Sequence, residues 1–158
     1  MATLTGTRGT TTFPVGGFGE ASNLKVAWGS YTFAANPTAA DIVRLCSVPK
    51  NARVLGGYVQ AKDLDTGTEE MDIDIGWLAN GSDAADPDGF GNLGVWSGDA
   101  VTDLRPEVGI YYPLGGVLLT TGPQKFAEDT VIAATVNVDA HGGGTGIMTV
   151  VVFYVIDY

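Results

Sequence analysis

The sequence predicts an all-β protein, an antiparallel β-sandwich of jelly-roll type with an extended N-terminal arm. Three observations carry this expectation. Apolar runs rich in Val, Ile, Thr and aromatics recur at short intervals, each ended by Gly, Pro, Asn or Asp. Residues 69–77, "EEMDIDIGW", alternate strictly, with Met71, Ile73, Ile75 and Trp77 on one side and Glu70, Asp72, Asp74 and Gly76 on the other. That period of two is a strand with one face for the core and one for water, because a helix would scatter the same residues around its axis. Finally, 23 glycines in 158 residues suit tight turns and not long helices.

The elements follow in order. Residues 1–22 hold six threonines, five glycines and two charges, and their large apolar residues Leu4, Phe13, Val15 and Phe18 keep neither helical nor strand spacing. They read as an arm, and residues 23–158 as one sandwich domain. Strands are expected at 23–34, 41–48, 52–61, 69–77 and 129–138. In the last of these Ile132, Ala134, Val136 and Val138 share a side. Residues 80–92 read as a polar loop, 95–104 accommodate one short helical turn, and 109–122 read as two short strands around Pro113 and Gly115–Gly116. From Ile147 to Ile156 the chain is apolar on both faces, which places this strand inside a sheet.

Composition narrows the function. The single cysteine, Cys46, excludes an intrachain disulfide and a multi-cysteine metal cluster. "MATLTGTRG" lacks the apolar core of a secretion signal, and the longest apolar run, Val150 to Ile156, is far short of the roughly 20 residues of a membrane helix. Assembly in a reducing cytoplasm is therefore expected, with no membrane partner. The net charge of −10 is unevenly spread: residues 1–62 carry six bases against two acids, and residues 63–158 two bases against sixteen acids. Such a chain suits a solvated acidic surface and not nucleic-acid binding, which draws its affinity from neutralising phosphates.

Four constellations are candidates for chemistry. Asp83, Asp86 and Asp88 ahead of Gly89 are weak candidates for calcium, but their spacing is not that of an EF-hand and the same residues make ordinary turns. His141 in "AHGGGTG" lacks the G-x-S-x-G elbow of esterases, and Cys46, within an apolar strand, reads as a small buried hydrophobe and not as its nucleophilic partner. Glu70, Asp72 and Asp74 share a strand face, as a glycosidase cleft requires, yet so do the acids of any half-exposed strand. Among the aromatics, Trp28 is one stacking candidate and Trp77 falls on the core side of its strand, leaving Trp96 and the Tyr111–Tyr112 pair as the better candidates for a sugar platform or a subunit contact. No catalytic residue, cofactor or metal is expected.

Taken together, "VRLCSVPKNARVLGGYVQA" (43–61), "MDIDIGW" (71–77), "DTVIAATVNV" (129–138) and "MTVVVFYV" (148–155) resemble small structural proteins of tailed-bacteriophage heads that decorate or cement the capsid. The likeness spans roughly residues 35–158. It implies a jelly-roll-like sandwich, often homotrimeric, seated on the capsid surface where capsomers of the major capsid protein meet, with no catalytic residues to carry over. The arm fits this picture as a fastener that orders on a neighbouring subunit. The expected contact residues are Leu4, Arg8, Phe13, Phe18, Trp96, Tyr111 and Tyr112. A carbohydrate-binding sandwich is the alternative function, and a glycoside-acting enzyme the third.

Overall fold

The computed structural model describes residues 2–6, 23–62, 64, 65, 68, 70–95 and 110–157. These form strands β1 (Thr3–Thr5), β2 (Lys25–Phe33), β3 (Ile42–Val48), β4 (Ala52–Ala61), β5 (Asp72–Trp77), β6 (Asp86–Val95), β7 (Ile110–Pro113), β8 (Gln124–Lys125), β9 (Thr130–Val138) and β10 (Gly146–Ile156), with one helical turn, α1 (Val117–Thr120). One sheet runs β1-β3-β9-β5-β6 and the other β2-β10-β4-β7, with β8 also pairing with β4. Leaving out β1 and β8, successive strands alternate between two four-stranded sheets except at β5–β6, and every pairing is antiparallel. That order is a jelly roll, as the sequence predicts.

The core lies between the sheets. Leu45, Ile73, Ile75, Ile132 and Val136 come from one side, and Phe33, Val59, Val150, Val152 and Tyr154 from the other. Trp77, Phe90 and Phe126 meet edge to face, with centroids 5.1, 5.2 and 6.3 Å apart, a geometry their ring quadrupoles favour. Strand β10 is central in its sheet, paired with β2 on one side and β4 on the other, which is why it needs no polar alternation. A bulge between Arg44 and Cys46 turns both Leu45 and Cys46 into the core.

Two expectations are corrected. Residues 80–92 are not all loop, because Asp86 onward belongs to β6. An edge strand needs ladder bonds on one side only, so it tolerates Pro87 and the glycines that hid it. Its register breaks twice against β5, and between Ile75 and Trp77 the segment 87–90 arches over Gly76. A Cβ at Gly76 would collide with the Asp86 carbonyl, and one at Gly89 with the Trp77 ring, so both glycines are required by close approach. In 109–122 the first half is β7, but the second is α1 and not a strand. Gly116 at φ 55° turns the chain there, and amides 118–122 find their acceptors at Gly115, Gly116 and Val117. The helical turn expected at 95–104 lies outside the described residues, apart from Val95 in β6.

The arm also begins differently. Thr3–Thr5 pair in parallel with Ile42–Arg44, and Leu4 packs partly against the chain's own core. Gly6 donates to the Arg44 carbonyl at 2.5 Å and sits so close to the Ser30 carbonyl that a Cβ would collide with it. Residues 2–6 thus seal the open side of the sandwich between β3 and β2. Three residues are too few to show as a periodic pattern, so their partner strand decides their conformation.

Candidate functional site: two outer sheet faces

The outward residues of the two sheets differ in kind. On the β2-β10-β4-β7 sheet, register places Trp28, Val151 and Tyr58 in one row and Val26, Phe153 and Gly56 in the next. Ile147 lies further along β10, and Tyr111 joins from β7, opposite Gln60. Tyr58 packs on Tyr111 at 5.0 Å and on Phe153 at 6.3 Å. Val26, Trp28, Tyr111 and Ile147 are all exposed. No Asp or Glu occurs in these four strands.

The β3-β9-β5-β6 sheet carries the acids instead. Asp72 and Asp74 point outward from β5, and Asp86 and Asp88 stand on neighbouring β6. Asp74 is only 7% exposed; one carboxylate oxygen accepts from Asn137 at 2.8 Å, while Oδ1 is buried with no hydrogen-bond partner, as is Oδ1 of Asp72. Burial pushes the Asp74 carboxyl above its usual range; the Asn137 bond opposes this, and the charges of Asp72 and Asp88 add to it. Asp86 is raised likewise, by burial first and then by the Asp88 carboxyl bonded to it.

At the end of this sheet an open groove of about 490 Å³ is lined by Ala39, Glu70, Asn137, Val138, Asp139, Ala140 and His141. Its rim is held by Asp65, which is wholly buried and accepts backbone N–H groups from Glu70, Met71, His141 and Gly142 at 2.9–3.2 Å. Burial alone would raise this carboxyl, but the four amides outweigh it and hold it below the ordinary range. Asp65 ties the chain entering β5 to the β9–β10 connection. Sequence reasoning passed over it, since a lone Asp before "TG" looks like any turn residue.

The residues singled out from sequence fall as follows. Asp83 is held in a turn by Asn80 and stands apart from the hydrogen-bonded Asp86–Asp88 pair. Among the described residues no group of three or more His, Cys, Asp or Glu side chains is arranged to hold a metal ion. Glu70 lines the groove while Asp72 and Asp74 lie under the sheet's outer surface, so the three acids share a face but not a cleft. Cys46 is buried in the core beside Tyr154, and His141 lines the groove. Trp77 is in the core, its indole N–H donating to the Ala84 carbonyl. Tyr111 is exposed on the apolar face, whereas Tyr112, its neighbour along β7, packs toward the core, so the two do not form one platform. Arg8, Phe13, Phe18 and Trp96 lie outside the described residues. Among the described residues, Lys50 pairs with Glu128 at 3.0 Å and Arg53 with Asp157 at 2.5 Å.

The architecture has relatives among solved structures. A chain of the cyanophage Pam1 capsid asymmetric unit superposes with a TM-score of 0.63 at 22% identity, over 92% of this chain and 94% of that one. The fold is shared with phage capsid chains. A chain of the capsid of Ralstonia phage GP4 gives 0.62 at 16% identity over 99% of both chains. One from the acidic stable capsid of Helicobacter pylori bacteriophage KHP30 gives 0.58 at 14% identity, over 87% of this chain and 91% of that one. No protein-family description matches the chain, and no curated protein does.

Proposed function

We propose that this chain is a non-enzymatic virion structural protein that binds the outside of a phage capsid and stabilises the shell. The observation that carries the reading is the likeness in fold to chains of three phage capsids, over 92%, 99% and 87% of this chain. In this reading its partners are the major capsid protein and further copies of itself, as a homotrimer put together in the host cytoplasm. Stabilisation comes from apolar and main-chain surface buried across capsomer boundaries, which opposes expansion of the shell under internal pressure. In this reading the arm of residues 1–22 acts as a fastener: residues 2–6 are anchored on the chain's own sheet, and Arg8, Phe13 and Phe18 are its proposed contacts with a neighbour. Trp96 and the exposed Tyr111 complete the proposed contact set, and Leu4 and Tyr112, already packed on the chain's own core, offer it only their remaining surface.

The test is to mix the purified full chain with heads of its phage that lack it, then sediment the heads. Co-sedimentation in a fixed copy number, with DNA release moved to higher temperature by several degrees, is the expected result. A chain left in the supernatant overturns the reading. A glycan array run alongside separates the sugar-binding alternative, since a cement protein binds nothing on it.

A further inference from the structure

We propose that the outer face of the β2-β10-β4-β7 sheet is the surface on which copies of this chain pack against one another. A strand with one face in water ordinarily places polar side chains outward. Here β2 turns out Val26 and Trp28, and β10 turns out Ile147, Val151 and Phe153, beside Tyr58 and Tyr111. Trp28 is 44% exposed and Ile147 54%. Large apolar side chains exposed together on one face in this way mark interaction surfaces. One polar row crosses the face between Val151 and Ile147: Ser30 and Thr149, hydrogen-bonded to each other at 2.8 Å, with Gln60 beside them.

Charge selects the occupant. Each copy carries −10, so two copies repel wherever their carboxylates approach. The four strands of this sheet contain no acid, while Asp72, Asp74, Asp86 and Asp88 crowd the opposite sheet. The face is therefore where like-charged copies meet with least repulsion, apolar surface against apolar surface. Charge depletion with aromatic enrichment is the composition of an interface core between copies. Regular strands hold the patch in place before association, so little ordering is needed on contact.

Light scattering of the full chain over a range of concentrations, with no capsid present, tests this. The expected result is a mass that is a multiple of the protomer, and the same mass counts the copies. The double variant Trp28→Arg/Ile147→Lys is expected to associate at least tenfold more weakly, with an unchanged far-UV spectrum. Leu119→Lys, at an 83% exposed position on α1 away from the sheet, is expected to keep the wild-type mass. Should the double variant lose its fold, Trp28→Thr gives the same reading at a residue that favours strands. A wild type that is monomeric throughout, or a folded face variant that keeps the wild-type mass, overturns the inference. The inference rests on the self-association within the proposed function, so a monomeric chain would also remove the homotrimer from that reading; binding to heads is read separately, and its failure leaves this face standing.

Discussion

The two sheets share one architecture and turn opposite chemistry outward. One presents Val26, Trp28, Tyr58, Ile147 and Phe153 without a single acid; the other keeps four carboxylates on two adjacent strands, two of them with a buried oxygen that no donor reaches. Both faces cost stability when left in water alone, the first through exposed apolar area and the second through like-charge crowding. The difference indicates which side of the molecule gains most from being covered.

The largest effect is expected where the frame beneath both faces is cut. Replacing Asp65 by Ala removes the acceptor shared by four backbone N–H groups, one of them buried, and loosens the start of β5 from the β9–β10 connection. We expect a loss of about 3 kcal/mol or more, read by urea unfolding, with the stability of Asp65→Asn falling between that of Asp65→Ala and wild type. An unchanged midpoint for Asp65→Ala would show that Asp65 does not bind the two segments together.

The acidic face is expected to gain from losing a charge. Asp74→Asn keeps an oxygen for the Asn137 amide and removes a carboxylate that burial disfavours, so stability at pH 7 should rise by about 1 kcal/mol. A raised carboxyl pKa stabilises the folded state fully below the unfolded value, and that contribution is lost as pH rises through the folded one. The advantage of Asp74→Asn should therefore shrink as pH falls toward 4. Equal stability of the two proteins at pH 7 would mean that the orphaned oxygen carries no cost.

Wild-type unfolding across pH sharpens the contrast further. Asp65, held low, contributes stability above the ordinary carboxylate value of 3.8 and loses it as pH falls through its folded value. Asp74 and Asp86, held high, work in the other direction, so falling pH from 7 toward 4 relieves the acidic face before Asp65 begins to titrate. Unfolding midpoints at pH 7, 5 and 3 are expected to be highest near pH 5. A steady decline from pH 7 would place the electrostatic cost elsewhere.

The smallest effect is expected off both faces. Lys50 and Glu128 form an exposed pair, and Lys50→Ala should cost less than about 0.5 kcal/mol by thermal unfolding. A larger loss would mean that surface ion pairs, and not the two faces, dominate the electrostatics of this fold.

How much of this could be read in advance depends on the element. Alternation exposed β5 and β9 because their inward residues belong to a half-buried period of two, and β10 because a central strand is apolar on both sides. Strand β6 stayed hidden because edge strands tolerate the Pro and Gly that otherwise mark loops, and α1 because one helical turn has no period to show. Of the acids weighed by spacing, Asp72 and Asp74 do share a face, but Asp83 parts from Asp86 and Asp88, since its turn is set by Asn80. Asp65 gave no signal, because its four donors come from two segments far apart in the chain.

By itself the sequence determined the all-β class, the jelly-roll count of strands, which side of β5 and β9 faces inward, and the absence of acids from β2, β4, β7 and β10, because each is local and each strand repeats it. Only the tertiary structure decided that those four acid-free strands are neighbours in one sheet, that Asp74 lies buried among other acids, and that residues 3–5 close the sandwich. Neighbourhood in a sheet is settled by crossings between distant segments, and no local pattern encodes which strand will lie beside which.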